Sequence, residues 1–208
     1  MTLYKQETKS NFFRKKKLDL VYRELKYFKE KLGVQYNYFW ADTFLAWNVK
    51  EFEEFCNMYE DIGLPFWMQT RPETISDYKI KKLAEIGLHR ISFGIEHGNE
   101  KFRRKLLDRE WSNKDIIEAL KIPHRYGIQF NLNNITGFPT ETRELAMDTI
   151  ELNRNIDSDN QNLYSFVPFP GTPLRKLCKE TGLVAPETIT KALTDKPMLV
   201  IPQYLSTK

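Results

Sequence analysis

The 208-residue sequence predicts an α/β fold, a parallel (β/α) barrel-like sheet, on three observations. Five β-favouring runs alternate with amphipathic helical stretches. Each helical stretch is long enough to carry the chain back to the start of the next strand, the connection that parallel pairing needs. No Gly-x-Gly-x-x-Gly turn and no Walker-type loop follows a strand, so a doubly wound nucleotide-binding sheet loses support. A barrel of this kind gathers its chemistry at the C-terminal ends of its strands. The polar residues predicted to lie there are Asp42, Arg71, Glu96, Asn131, Asn133 and those of the Pro168–Thr172 turn.

Residues 14–32 carry Leu18, Val21, Leu25, Phe28 and Leu32 at three- and four-residue steps, which predicts a helix with one apolar face. Gly33 supplies its left-handed stop. Residues 34–40, rich in Tyr, Phe and Trp, read as a strand ending near Asp42. A helix over 49–62 carries Val49, Phe52, Phe55, Tyr59 and Ile62 on one face, and Gly63 ends it. Strand 66–70 stops at Arg71-Pro72, helix 76–86 stops at Gly87, and strand 90–96 follows. A basic helical stretch over 99–108 precedes a helix beginning near Ser112, where Ser112 and Asp115 have capping-box spacing and Pro123 is expected to kink or shorten the helix. Strand 128–135, the turn Gly137-Phe138-Pro139, helix 141–155 with Leu145, Met147 and Ile150 on its apolar face, strand 162–167 and a helix over about 174–181 complete the pattern.

Composition narrows the class. At 41% hydrophobic and 13% aromatic, the chain has ample surface for one sizeable core. No apolar run approaches the roughly 20 residues that span a bilayer, and the start lacks a signal-peptide core, so a cytoplasmic protein without membrane partners is expected. The net charge of +4 is local: residues 1–31 hold ten Lys and Arg against four acids. The remainder is near neutral, which leaves little for a nucleic-acid reading. Cys56 and Cys178 are 122 positions apart, in helical patterns that face the core, and fit two buried hydrophobes. His89, His97 and His124 have no tight ligand spacing, so no metal site is expected of them. Trp40, Trp47, Trp67 and Trp111 are expected in the core or a pocket wall.

Four segments stand in order at strand ends: Phe39-Trp-Ala-Asp-Thr-Phe44, Gly94-Ile-Glu-His-Gly98, Ile135-Thr-Gly-Phe-Pro-Thr-Glu141 and Val167-Pro-Phe-Pro-Gly-Thr-Pro-Leu174. Together they resemble the catalytic barrel of radical S-adenosylmethionine (SAM) enzymes, in particular the branch with an N-terminal cobalamin-binding domain. The resemblance covers about residues 14–183; residues 1–13 are then a basic N-terminal segment and 184–208 a poorly periodic tail. It implies SAM at the C-terminal face of the barrel and a small-molecule substrate. It makes Asp42 a polar wall of the active-site mouth and places Glu96 and Asn133 at the SAM ribose. Arg109 would sit at the SAM carboxylate, a pairing for which a forked guanidinium is apt. Ile135, Gly137, Phe166 and Pro168 belong to the stretches that would flank the adenine.

One part of the family pattern is missing. The resemblance calls for a Cys-x-x-x-Cys-x-x-Cys loop after the first barrel strand, whose thiolates hold a [4Fe–4S] cluster that reduces SAM to a 5′-deoxyadenosyl radical. Neither that strand nor the loop is in this sequence. The resemblance thus makes the expected fold a partial parallel (β/α) barrel, without its first strand and cluster ligands, completed by a missing N-terminal portion or another chain at the open edge Gln35–Trp40. Cobalamin remains possible in a full-length protein. Two alternatives stand beside it: a cluster-less barrel that binds SAM or a partner, and an unrelated barrel hydrolase or lyase using Asp42, Glu96 and a histidine. For single residues, Asp42 also reads as a helix cap, Glu96 as a general base or solvated acid, and Arg109 as a surface arginine.

Overall fold

The computed structural model describes residues 15–185 together with 187, 188 and 199. The segment 1–13 and most of 184–208 lie outside those residues. The order of elements is α1 (Leu18–Leu32), β1 (Asn37–Phe39), α2 (Val49–Ile62), β2 (Phe66–Thr70), a 3-10 turn (Pro72–Thr74), α3 (Asp77–Glu85) and β3 (Leu88–Glu96), then α4 (Glu100–Leu107), α5 (Asn113–Arg125), β4 (Gln129–Thr136), α6 (Arg143–Arg154), β5 (Asn160–Ser165) and α7 (Pro173–Glu180).

All five strands are parallel, and their order in the sheet is their order in the chain. With right-handed crossovers that order sends every helix to one face and leaves no point where the winding reverses. This is the arrangement of a barrel opened along one seam. Curling of the sheet shows in one electrostatic detail. Tyr38 on β1 and Tyr164 on β5 stand at opposite edges, yet Tyr164 helps raise the Tyr38 hydroxyl pKa, after burial, which is the larger cause.

The helix-facing side of the sheet holds the main core. Phe66, Met68, Ile91, Phe93, Ile95, Phe130 and Leu132 from the strands pack with Phe52, Phe55, Tyr59, Ile80, Leu83, Ile116 and Leu120 from the helices. Alternation puts the other residues of each strand on the concave side. Registers align them in rows: Tyr38, Trp67, Arg90 and Gln129; then Gln69, Ser92, Asn131 and Asn160; then Gly94, Asn133 and Asn162. A second, smaller cluster of Phe138, Phe166, Cys178, Val184 and Leu199 lies around α7.

The predicted elements recur with some differences. α2 and β2 match their expected bounds, and Gly33 and Gly63 end α1 and α2 with φ of +67° and +60°. β1 keeps only three of the seven expected residues. β5 runs two residues earlier than the composition of 162–167 suggests, because Phe166 and Val167 leave the strand to be buried in the turn. Pro123 lies in the last turn of α5, so helix continues only two residues beyond it. α6 buries Thr149, Leu152 and Asn153, whereas Met147 and Ile150, expected on its apolar face, are exposed. Trp40, expected in the core or a pocket wall, is 81% exposed. Trp47 and Trp111 pack against the core. No described helix is long and apolar enough to cross a membrane.

Candidate functional site

The strand ends of β3 and β4 carry the site. The register of β3 against β4 shifts between Gly94 and Glu96, so the bulge pushes Glu96 out of the regular alternation. Glu96 completes the turn with φ of +71°, a left-handed conformation rare for a side chain of this size. Its carboxylate folds back over Gly94: a Cβ at position 94 would come within 2.5 Å of Glu96 Oε1, so a side chain there would displace the end of Glu96. Burial raises the Glu96 pKa above the usual glutamate value, with Glu73 adding to the rise and Arg109 and Arg71 opposing it.

Arg109 reaches this point from the end of α4. It is 9% exposed, not a surface arginine. Nη2 donates to Glu73 Oε2 at 3.0 Å and to the Gly94 carbonyl at 3.1 Å, and Nη1 stands 3.7 Å from Glu96 Oε1. Glu73, from the 3-10 turn after β2, was not singled out from the sequence; its only signal is its place two residues after Arg71 at a strand end. With two acids facing one guanidinium, Arg109 orients the carboxylates.

Asn133, level with Gly94 on the next strand, accepts at Oδ1 from Asn131 Nδ2 at 3.1 Å and from Asn162 Nδ2 at 2.9 Å. Its NH2 group bonds to no described residue and reaches solvent. An acceptor at Glu96 and a donor at Asn133 thus lie side by side. Beyond them Ile135 packs against the cluster of Phe138 and Phe166, whose rings are 5.1 Å apart. Gly137, φ +83°, turns the chain there, and the buried Pro168 gives its carbonyl to Arg175.

A buried pair ties the two loops together. The Asn99 N–H donates to His97 Nδ1 at 3.0 Å, which leaves the ring proton on Nε2. Nε2 donates in turn to Glu141 Oε1 at 3.0 Å. The other carboxylate oxygen of Glu141 accepts from the N–H groups of Gly137 and Phe138 at 2.5 and 2.9 Å. Both side chains are fully buried. Gly98 completes the joint, since a Cβ there would strike the backbone of Asp148 and Thr149 in α6.

Asp42 stands apart. It is exposed in the turn after β1, and its carboxylate bonds to no described residue. It does not cap α2 either; Asn48 does, in a capping box with Glu51 that sequence reading missed. None of the histidines bonds to Asp42 or Glu96: His89 meets Tyr36, His97 meets Glu141, and His124 meets the Asp157 carbonyl.

The described residues do not fit an iron–sulfur cluster. No group of three or more His, Cys, Asp and Glu side chains among them could hold a metal ion. Cys56 and Cys178 are buried, as their helical patterns predict, and burial pushes the Cys56 thiol up to about 11.

The sequential parallel sheet, with its polar cluster at the strand ends, defines a barrel-type α/β domain. Residues 4–152 match the family model of the Radical SAM superfamily, and the chain belongs to that superfamily. It is 25% identical over 147 residues to an uncharacterized methyltransferase of Pyrococcus horikoshii, which covers 71% of this chain and 32% of that protein. It is 33% identical over 121 residues to the tRNA-2-methylthio-N(6)-dimethylallyladenosine synthase of Halalkalibacterium halodurans, covering 56% of the chain and 22% of that enzyme. Among solved structures, coproporphyrinogen III oxidase (HemN) of Escherichia coli superposes with a TM-score of 0.67 at 19% identity, over 82% of this chain and 41% of that one. The cobalamin- and [4Fe–4S]-bound methyltransferase TsrM of Kitasatospora setae gives 0.66 at 16%, over 82% and 35%. The chain therefore spans less than half of each of these proteins.

Proposed function

We propose that this chain is the SAM-binding part of a radical SAM catalytic domain, with SAM held across the ends of β3 and β4. One observation carries the reading: an acceptor (Glu96) and a donor (Asn133) stand on neighbouring strands, as a vicinal ribose diol requires, beside the apolar wall of Ile135, Phe138 and Phe166. Glu96 accepts from a ribose hydroxyl and Asn133 donates to a ribose oxygen. Ile135 and Phe166 flank the adenine, and the turns at Gly137 and Pro168 close around it. Arg109 serves the SAM carboxylate while Glu73 holds it in place. Asp42 forms part of the mouth. When bound, SAM supplies the sulfonium whose carbon–sulfur bond the superfamily breaks.

Cluster ligands do not come from the described residues, so they belong to a preceding strand and loop, within a longer polypeptide or on another chain. Support comes from β1. It pairs only with β2 among the described residues, so the backbone of Tyr38 faces an open edge. Tyr36, Tyr38 and Trp40 are exposed there, as are Tyr27, Phe28 and Leu32 of α1. A cobalamin-linked reaction in the whole protein is a finer reading supported by the order of the motifs; the likeness to TsrM is one of fold.

Calorimetric titration with S-adenosylhomocysteine tests the site. Saturable binding is expected, with Glu96→Gln weakening it about tenfold, the scale of one charge-assisted hydrogen bond. Acid has the same effect. The bond needs the carboxylate, so affinity falls as pH drops through the Glu96 pKa, and the raised value places that loss above the ordinary glutamate range. The Gln variant loses this pH dependence. No saturable binding, or the same pH profile in both proteins, would overturn the reading.

A further inference from the structure

The concave side of the sheet carries a hydrogen-bonded chain that crosses three strands. Trp67 Nε1 on β2 lies 2.9 Å from Ser92 Oγ on β3. Ser92 Oγ lies 2.8 Å from Asn131 Oδ1 on β4, and Asn131 Nδ2 lies 3.1 Å from Asn133 Oδ1. Ser92 and Asn131 are both buried, so each must place its proton or amide within the protein.

The direction of this chain follows from its first member. An indole N–H can only donate. Ser92 Oγ therefore accepts from Trp67, and its own proton goes to the acceptor within reach, Asn131 Oδ1. That fixes the Asn131 carboxamide with its NH2 toward Asn133, so Asn133 must accept at Oδ1. From the other side Asn162 Nδ2 donates to the same oxygen. Both acceptor positions of Asn133 are thereby filled, and only its N–H groups remain for the strand-end site. An asparagine left free could present either end of its amide, and here one end is excluded.

We propose that Trp67, Ser92 and Asn131 form a positioning relay that turns the NH2 group of Asn133 toward the strand ends and so makes the site demand an acceptor, a ribose hydroxyl oxygen, at that point. The proposal rests on the SAM-site reading for its ligand, but not for the relay itself. Trp67 and Ser92 touch no ligand in that reading. They are positioning residues, and their removal changes what Asn133 can recognise. Trp67 has a second anchor in the Tyr38 ring, 4.6 Å away, which a phenyl ring at position 67 still meets. Trp67→Phe thus deletes the donor while keeping a ring in place.

Two measurements on the full chain test it. The first uses no ligand: hydrogen exchange of the side-chain amides by NMR. The Asn131 NH2 protons are expected to be protected and those of Asn133 to exchange freely. Both Trp67→Phe and Ser92→Ala should lower Asn131 protection. The second compares adenosine with 2′,3′-dideoxyadenosine by calorimetry. The native chain should prefer adenosine, and either variant should lose about fivefold of that preference, the equivalent of one neutral hydrogen bond, with little change for the dideoxy compound. A purely structural role would weaken both ligands alike. Unchanged Asn131 protection in both variants, or equal losses for the two ligands, would overturn the relay. If native chain binds neither nucleoside, the SAM-site reading falls, and the exchange data still decide the relay.

Discussion

The loops at the two sides of the open barrel are built differently. Those after β3 and β4 are locked by buried bonds, from Glu141 to His97, Gly137 and Phe138, and by the contact of Gly98 with α6. The loop after β1 buries Phe44 and Leu45, but it leaves Asp42 exposed, its carboxylate bonded to none of the described residues, and Trp40 in solvent. The difference teaches where this chain is self-sufficient. Where two loops of the chain meet, the polar groups are pre-arranged; at the β1 edge of the sheet, Asp42 and Trp40 are left out in water.

Substitutions at three positions can break or sharpen that contrast. The largest effect is expected from Gly98→Ala. Its methyl group meets backbone rather than a movable side chain, so a loss of about 3 kcal/mol or more is expected in urea unfolding, or no folded protein at all. Glu141→Ala leaves two backbone N–H groups and the His97 N–H without their acceptor, and a loss of about 3 kcal/mol is expected; Glu141→Gln, which keeps one oxygen, should recover part of it. At the other loop, Asp42→Asn should stay within about 0.5 kcal/mol of the native chain. If Asp42→Asn proved as costly as Glu141→Ala, the two loops would not differ in the way described.

Much of this was legible in the sequence. Strand–helix alternation gave parallel pairing, the strand ends named Glu96 and Asn133, and the family resemblance named Arg109. Local pattern carries that kind of information because helix and strand periods are properties of neighbouring residues. What it missed depends on tertiary packing. Nothing local to Glu73 says that Arg109, 36 residues later, will lie against it. Nor does spacing pair His97 with Glu141 or Trp67 with Ser92, since each bond crosses between strands or loops. Met147 and Ile150 misled for the same reason: α6 meets the sheet through other residues, Asn153 pairing with Asn134 of β4 and Thr149 accepting from the Gly98 N–H in the loop after β3. β1 proved shorter than its aromatic run because only three residues find a partner strand.

The bent backbone at Glu96 has a consequence for how this position can vary. A left-handed glutamate costs the folded chain about 1–2 kcal/mol relative to glycine, and burial of its carboxylate adds to that cost. Selection for sturdiness alone would therefore drift position 96 toward glycine or asparagine, relieving the strain and losing the long acidic reach. A relaxed turn and a long acidic side chain therefore exclude each other at residue 96, and the chain as it stands keeps the second at the expense of the first.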